Sequence, residues 1–228
     1  MLTFRQLHPG DVSALVALQE IVRRGLRDPG LYQCEDEAYF ARIIAGSGAG
    51  FAAFDGETMA GYGIIAFPGV HPGNLCHDLP ALKIDPTEVA HLDGSAVHPA
   101  YRGLAIQHRL SVLRIAYGAT RGARHFLLTV SPANLPSLRN HLNGGGFRAL
   151  ALKQKYGGLW RLILHRALDA EEPTSAGPRE NCRLDDLETH QRLLAAGYAG
   201  IRLVNRDGLW HLAYEKSAPG VAGLSARQ

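Results

Sequence analysis

The chain has 228 residues, with 46% hydrophobic and 20% charged residues and a formal net charge of +3 when histidine is neutral. Such a composition is typical of a folded globular protein and excludes intrinsic disorder, and a charge this small gives no argument for nucleic-acid binding. The length suits one large domain, or one domain with an appendage.

Three cysteines stand far apart in the sequence, at Cys34, Cys76 and Cys182. They form no Cys-x-x-Cys pair, which disfavours a disulfide scaffold and a zinc ribbon and fits a reducing compartment. Residues 1–6 lack the apolar run of a signal peptide, and no segment reaches the roughly 18 apolar residues of a membrane helix. We therefore expect a soluble, cytoplasmic protein without a membrane segment.

Hydrophobic periodicity predicts strands and helices over the first third of the chain. The predicted elements are a strand at 2–7, a helix at 12–26 behind Asp11 as N-cap, a helix at 35–45, and strands at 51–54 and 58–67. Asp55-Gly56 between the last two strands is a hairpin signal. Residues 68–86 are rich in Pro, Gly and His and predict a long loop or lid, a kind of segment that often carries function.

The middle of the chain alternates strands with helices. A strand at 89–98 leads through a glycine-containing loop into a helix at 104–119. The next strand, at 124–130, contains Phe126-Leu127-Leu128, a run typical of burial on both faces. A helix follows at 134–143 with Asn134 as N-cap, and then an antiparallel strand pair at 147–153 and 159–166. These elements complete a domain that we place at residues 1–168.

The C-terminal part is organised differently. Residues 169–182 are polar and predict a linker, and residues 183–216 predict an appendage made of a helix at 184–196 and a hairpin of strands at 201–204 and 209–214. The hairpin fits either the core sheet or a second subunit, and a homodimer is the commonest soluble oligomer. Residues 217–228 predict a flexible tail. No internal repeat is evident.

The loop Tyr101–Gln107 is the most informative stretch of the sequence. It joins a predicted strand to a helix start, where main-chain N–H groups lack helical partners and the helix dipole adds partial positive charge. Arg102 adds a full charge and a planar fork that suits phosphate. The loop therefore predicts a site for a ligand that carries a pyrophosphate.

Two stretches, Ala96–Ala105 and Asn134–Arg139, resemble the GNAT superfamily of GCN5-related N-acetyltransferases. The order of predicted elements extends this resemblance over roughly residues 1–168. It implies an α/β (α+β) fold with a mixed, mostly antiparallel central sheet of about seven strands flanked by helices, to which the C-terminal helix and hairpin are appended. It also implies acetyl-CoA as co-substrate, without a metal.

The resemblance assigns the coenzyme-binding residues. The N–H group of Val97 would hold the pantetheine arm and polarise the thioester carbonyl, and the N–H groups that follow Gly103 would hold the pyrophosphate. The full set is Val97, Arg102, Gly103, Leu104, Ala105, Ile106, Gln107, His108, Asn134 and Ser137. Ala105 stands where the family has its first loop glycine, and we expect it to have a negative φ. Gln107 departs from the pattern as well, and either points away or donates to the ligand.

The resemblance also implies where the catalytic residues lie, since the general base of the family is often a carboxylate, or a water bound to one, on the strand that corresponds to residues 89–98. His91, Asp93 and Ser95 alternate onto one face of a strand, and we take Asp93 as first choice and His91 as second choice for the general base. Asp93 alternatively makes only a structural hydrogen bond. In many relatives a Tyr serves as general acid. Here His141 stands at that position, although counting back from Phe147 gives Leu142. His141 is accordingly either the acid or a solvated helix residue.

Other chemistry-bearing residues favour simpler interpretations. The group His71, Cys76, His77 and Asp78 matches no tetrahedral metal set, and we assign its loop to acceptor recognition. Tyr117 and Tyr156 do not fit the spacing of a general acid and are interpreted as packing residues. Arg23, Arg24 and Arg27 predict a solvated face, because no aromatic residues are interleaved with them as in an RNA-binding surface.

Three functions compete. The first is an acetyl-CoA-dependent N-acetyltransferase that moves an acyl group from the CoA thioester to an amine of a small molecule or peptide by direct attack. The alternative is a non-catalytic, regulatory acyl-CoA-binding protein of the same fold, which the missing Tyr and the altered loop would suit. The third is a different nucleotide binder. The residues alone identify neither the acceptor nor the acyl length.

Overall fold

The computed structural model describes residues 1–169 and 177–216. Ten strands share one sheet. They are β1 (Thr3–Gln6), β2 (Gly48–Asp55), β3 (Thr58–Ala66), β4 (Val89–Val97), β5 (His125–Val130), β6 (Arg148–Lys155), β7 (Leu159–Ala167), β8 (Arg179–Arg183), β9 (Tyr198–Arg206) and β10 (Leu209–Lys216). The α-helices are α1 (Val12–Arg24), α2 (Glu37–Arg42), α3 (Ile106–Thr120), α4 (Leu135–Leu138) and α5 (Leu187–Ala195).

Two helices continue into π-helical turns, α2 into Ile43–Ser47 and α4 into Arg139–Gly144. Between β3 and β4, the predicted long loop contains three 3-10 turns, at Leu75–Asp78, Pro80–Leu82 and Pro86–Glu88. These turns give the segment local hydrogen bonds of its own although its sequence has no regular period.

The strands lie in the order β1-β2-β3-β4-β5-β7-β6-β9-β10-β8. Neighbours are antiparallel except β4 and β5, which are parallel. The predicted class, a mixed and mostly antiparallel sheet flanked by helices, is confirmed. The strand number of about seven was too low, because the C-terminal hairpin continues the core sheet through β9, which pairs with β6.

The predicted linker at 169–182 was also too long. Arg179–Arg183 is the strand β8, which pairs with β10 at the edge of the sheet. Its charged residues gave it the composition of a linker, and charged side chains are common on edge strands. The rest of the predicted linker up to residue 176 lies mostly outside the described residues, and so does the predicted tail at 217–228.

The helices cover both faces of the sheet because successive strand residues point to opposite sides. In β3, Ile64 packs in the cluster that contains Leu15 of α1, whereas Ile65 packs in the cluster that contains Leu110 of α3. The close fit of α3 requires a glycine, since a Cβ at Gly118 would lie 2.6 Å from the Phe126 ring. These two layers fix α3, and with it the loop that precedes the helix, over the middle of the sheet.

Candidate functional site

A cleft opens where β4 and β5 separate. The two strands pair only at Val89–His125, Ala90–Phe126 and His91–Leu127, although each runs on for several residues. A cavity of about 1100 Å³ occupies the space beyond this pairing. Its walls are the outer halves of β4 and β5, the loop before α3, the start of α4 and the segment between α1 and α2.

A bulge in β4 lies where the pairing of β4 with β5 ends. The register between β3 and β4 shifts so that Ile64 on one strand and Asp93-Gly94 on the other have no partner. Arg114, on α3 and fully buried, donates from Nη1 to the carbonyls of Ile64 (3.0 Å) and Asp93 (3.3 Å). Burial lowers the pKa of Arg114 to about 10, against the opposing effect of Asp93, so it stays charged at neutral pH. Bulges beside active sites commonly redirect a side chain.

The main chain of Val97 faces the cleft. His98 N–H donates to Ala60 O (2.9 Å), which makes His98 and Ala60 a hydrogen-bonded pair. Antiparallel pairs alternate, so the next pair, Val97 with Gly61, is non-hydrogen-bonded and its polar groups point away from the partner strand. The Val97 N–H therefore points into the space between β4 and β5, where the two strands no longer pair.

The loop before α3 has two residues in the left-handed region. Gly103 has φ +84° and Ala105 has φ +55°. The prediction of a negative φ at Ala105 was wrong, because the chain turns sharply there before it enters the helix. An L-residue in this region costs roughly 1–2 kcal/mol, a cost that glycine avoids.

The same turn sets up the start of α3. The first helical bond runs from Arg109 N–H to Ala105 O (3.1 Å), so the N–H groups of Ile106 to His108 have no helical partner. Ala105 to His108 line the cavity with Arg102 and Gly103, whereas Leu104 is exposed and does not. The arrangement suits an anionic group at the helix N-terminus.

Asn134 and Ser137 lie on the opposite wall. Asn134 Oδ1 accepts from Ser137 N–H (3.2 Å) and caps α4, while its Nδ2 donates to Leu31 O (3.3 Å) in the segment between α1 and α2. The predicted N-cap is thus present. Its amide thus links the start of α4 to the segment between α1 and α2.

The two candidates for the general base differ in their surroundings. Asp93 accepts a hydrogen bond from the Tyr39 hydroxyl and lines the cavity. His91 Nε2 accepts from Leu75 N–H (3.1 Å), so this nitrogen carries no proton and cannot also donate to Asn74 Oδ1 at 3.3 Å. Burial lowers the pKa of His91 to about 4. His91 is therefore neutral, and one of its nitrogens is already engaged.

His141 lies within the wall of the cavity, not on a solvated helix face. Only 3% of the residue is exposed, and its ring packs edge-on against Phe147. Burial, and then the nearby charges of Arg114 and His108, lower the pKa of His141 to about 3. Its Nδ1 has no hydrogen-bond partner among the described residues. The interpretation as a solvated residue was wrong, because the π-helical turn points the side chain inward.

A further carboxylate at the cavity, Glu35, was not singled out from the sequence. It lies between α1 and α2, and its main chain is held by the buried Gln19, which donates to Glu35 O (2.7 Å) and accepts from Glu35 N–H (2.9 Å). Burial raises the pKa of Glu35 to about 7, with contributions from the charges of Asp93 and Asp36. No local pattern distinguishes it from the neighbouring acidic residues, since only the tertiary fold brings it near Asp93.

Tyr156 also borders the cavity, contrary to its interpretation as a packing residue. Its hydroxyl lies 3.0 Å from Thr129 Oγ1 on β5. In the long loop, Gly73 and Leu75 line the cavity, Cys76 is buried and Asp78 pairs with Lys155 (2.6 Å). Nowhere in residues 1–169 or 177–216 do three His, Cys, Asp or Glu residues gather closely enough to hold a metal ion. The helices of the same residues are too short or too polar to cross a membrane.

Solved structures share this fold. The ribosomal-protein-S18-alanine N-acetyltransferase from Escherichia coli superposes with a TM-score of 0.55 at 18% identity, over 76% of this chain and 98% of its own. NAA60 from Arabidopsis thaliana, solved in complex with acetyl-CoA, gives 0.59 at 18% identity, over 75% and 100%. The protein yncA from Salmonella typhimurium, described as a putative acetyltransferase and solved with its cofactor acetyl-CoA, gives 0.54 at 16% identity, over 77% and 98%. No curated protein matches the sequence.

The sequence itself carries the family signature. The model of the acetyltransferase (GNAT) family matches residues 15–147, more than half of the 228 residues. The matched range starts in α1, runs through the splayed strands and the loop before α3, and ends beyond α4. The chain belongs to the GNAT acetyltransferase family.

Proposed function

We propose that this chain is an acetyl-CoA-dependent N-acetyltransferase. The amine of a small molecule or peptide attacks the thioester directly and receives the acetyl group. The observation that supports it best is that one cavity is bordered both by the free N–H groups of α3, at one end, and by two carboxylates, at the other. The first end suits a pyrophosphate, and the second suits an ammonium ion that must lose a proton before attack.

The coenzyme residues keep the roles that the resemblance implies. Arg102 and the N–H groups of Ile106 to His108 bind the pyrophosphate, and Asn134 and Ser137 border the pantetheine arm. The Val97 N–H polarises the thioester carbonyl, which favours the tetrahedral intermediate. Leu104 contributes only through its main chain.

The two carboxylates divide the work on the acceptor. Asp93, held by the Tyr39 hydroxyl, attracts and orients the acceptor ammonium ion. Glu35 takes the proton, because a group that titrates near neutral pH is the better general base. His91 is the weaker candidate for the base, since its Nε2 already accepts from Leu75.

The departing thiolate needs a proton, and His141 was the predicted donor. A neutral, buried imidazole is a weak acid, which disfavours that role. Tyr156 offers a hydroxyl in the same cavity and is our alternative. Separate kinetics of His141→Gln and Tyr156→Phe will distinguish the two, because the true donor should lower kcat with little change in KM for acetyl-CoA.

The test is release of free CoA from acetyl-CoA in the presence of a panel of small amines and amino-terminal peptides, with mass spectrometry of the products. We expect acetylation of at least one amine class, and loss of that activity in Glu35→Gln. The competing function is that of a regulatory acyl-CoA-binding protein. It predicts CoA binding without acetylation of any amine in the panel. Binding of ATP in preference to CoA would contradict both.

A further inference from the structure

The C-terminal unit repeats the topology of the core unit that precedes it. The core unit consists of β5, α4, β6 and β7, and the C-terminal unit consists of β8, α5, β9 and β10. Each is a strand, a helix and a hairpin whose second strand pairs back onto the first. The sheet order shows this directly, because β5-β7-β6 is followed by its mirror order, β9-β10-β8.

The strand registers of the two units agree position by position. Val130 pairs with Leu162 in the core unit, and Cys182 pairs with Leu212 in the C-terminal unit. Within the hairpins, the pair Gln154–Trp160 corresponds to Asn205–Trp210. Each hairpin also has a bulge at the equivalent position, where one residue lacks a partner on the opposite strand. This residue is Leu150 in β6 and Ile201 in β9. A shared bulge at an equivalent position is not required by the topology, and it indicates a common origin.

The helix starts agree as well. Asn134 has φ −86° and ψ 72°, and Asp186 has φ −91° and ψ 78°. In each, Oδ1 accepts from the N–H three residues later, and the N–H group of the residue itself donates to the carbonyl three residues earlier. The sequences are alike at Gly158-Leu159-Trp160 and Gly208-Leu209-Trp210.

The two units contact each other about a local twofold axis. The pairing of β6 with β9 joins Ala149 to Gly200, which are equivalent positions in the two units. A Cβ at Gly200 would lie 3.0 Å from the Ala149 Cβ and 2.7 Å from Leu212. Contact of a surface with its own equivalent is the hallmark of an isologous dimer interface, here within one chain.

We infer that residues 179–216 are an internal second copy of residues 127–166, and that this copy occupies the β6 edge of the sheet in place of a second subunit. The other two edges do not invite pairing. β1 has only four residues, and β8 carries Arg179, Glu180 and Arg183. The structure thus favours a monomer over the homodimer suggested by the frequency of dimers.

The copy is not a second coenzyme site. Among the described residues, β8 has no neighbour corresponding to β4, and so the copy lacks a counterpart of the loop with Arg102. The cap residue is an aspartate, Asp186, where the core unit has the neutral Asn134. A negative charge at this place would repel an anionic ligand.

The copy instead holds the cavity wall. Asn143, in the turn that extends α4, donates from Nδ2 to Leu203 O (3.1 Å) and accepts at Oδ1 from Leu203 N–H (2.8 Å). Its side chain thus pairs with the main chain of β9 much as another strand would. The same turn carries His141, so Asn143 acts as a positioning residue for the coenzyme side of the proposed active site.

The test uses the full chain, with Asn143→Ala and Asn205→Ala as a matched pair. Asn205 lies on β9 too, but its side chain accepts only from Gly208 N–H in the exposed turn. Sedimentation should give the 24.7 kDa monomer for the wild type. Asn143→Ala should lose hydrogen-exchange protection over residues 135–144 and bind free CoA about three- to tenfold more weakly, the effect of one or two lost hydrogen bonds. Asn205→Ala should do neither.

A wild-type dimer of twice that mass, or unchanged exchange at 135–144 in Asn143→Ala, would overturn the inference. Should Asn143→Ala fail to fold, Asn143→Asp keeps the acceptor for Leu203 N–H and should lose an intermediate amount of protection. The weaker CoA binding rests on the proposed function, whereas mass and exchange do not. Failure of the wild type to bind CoA would therefore count against the proposed function alone.

Discussion

Replacement of Glu35 by glutamine should stabilise the protein relative to the wild type by an amount that is larger at alkaline pH than at acid pH. The pKa of Glu35 is raised from 4.5 to about 7 in the folded protein. Between these values the unfolded chain releases its proton while the folded protein retains it. Ionisation therefore favours the unfolded state progressively as pH rises to about 7, after which the difference is constant. Glutamine has the same shape and no such penalty.

The size of the effect follows from the displacement of the pKa. The displacement from 4.5 to about 7 corresponds to about 3 kcal/mol at roughly 1.36 kcal/mol per pH unit. The side chain is only partly buried, and solvent screens part of the cost. We therefore expect the difference in the free energy of unfolding between Glu35→Gln and the wild type to grow by about 1–2 kcal/mol between pH 4.5 and pH 8.

The assay is urea denaturation of both proteins across that pH range. Buried histidines change stability in the same range, but they are common to both proteins and cancel in the difference. Glu57→Gln, in the exposed turn between β2 and β3, is the control for removing a carboxylate that the fold does not bury. A Glu35→Gln difference that does not grow with pH, or that grows no more than the Glu57→Gln difference, would refute the burial of the Glu35 carboxyl and remove the argument for Glu35 as general base.

Three further predictions concern the rest of the site. Ala105→Gly should raise the free energy of unfolding by about 0.5–1 kcal/mol and Gly103→Ala should lower it by about 1 kcal/mol, because both residues have a left-handed backbone. Urea denaturation measures both changes. Two changes of the same sign would contradict the argument that the loop is strained. Arg102→Ala should weaken CoA binding about tenfold and flatten its salt dependence in titration calorimetry, whereas Arg109→Ala, whose guanidinium lies over the Phe4 ring, should not. In the wild type, the lowered pKa of His141 means that only the unfolded chain takes up a proton on this side chain between pH 7 and pH 5. His141→Leu should therefore lose about 2 kcal/mol less unfolding free energy over this range than the wild type. If the unfolding free energies of the two proteins, measured in urea, run parallel over this range, His141 is not buried.

The loop that starts α3 was predictable because its signal is local. A strand pattern, a Gly-containing loop and a helical pattern stand next to one another in the sequence, and each depends on neighbouring residues alone. The φ of Ala105 was not predictable in the same way. Alanine is a good helix former, and nothing beside it indicates that the chain reaches the helix through a left-handed turn.

Glu35 and the repeat required information that the sequence holds only in dispersed form. Glu35 titrates abnormally because its side chain is partly buried and because Asp93, 58 positions later, lies near it, and no periodic pattern encodes either condition. The repeat is not evident in the sequence because the spacing between equivalent residues falls from 52 residues at Asn134 and Asp186 to 50 residues at Trp160 and Trp210. A search at a fixed period cannot follow such a shift, whereas strand register can.

The choice between an enzyme and a regulatory coenzyme binder depends on what each would need to retain. A binder needs the strained loop at Ala105, the Val97 N–H and the Asn134 cap, since these line the part of the cavity that we propose for the coenzyme. It does not need Glu35 and Asp93 close together in a partly desolvated wall. Neither carboxylate has a salt bridge within the described residues, and their mutual repulsion contributes to the raised pKa of Glu35. Such an arrangement lowers stability unless a cation arrives there, and an acceptor ammonium ion is the cation that acetyl transfer brings.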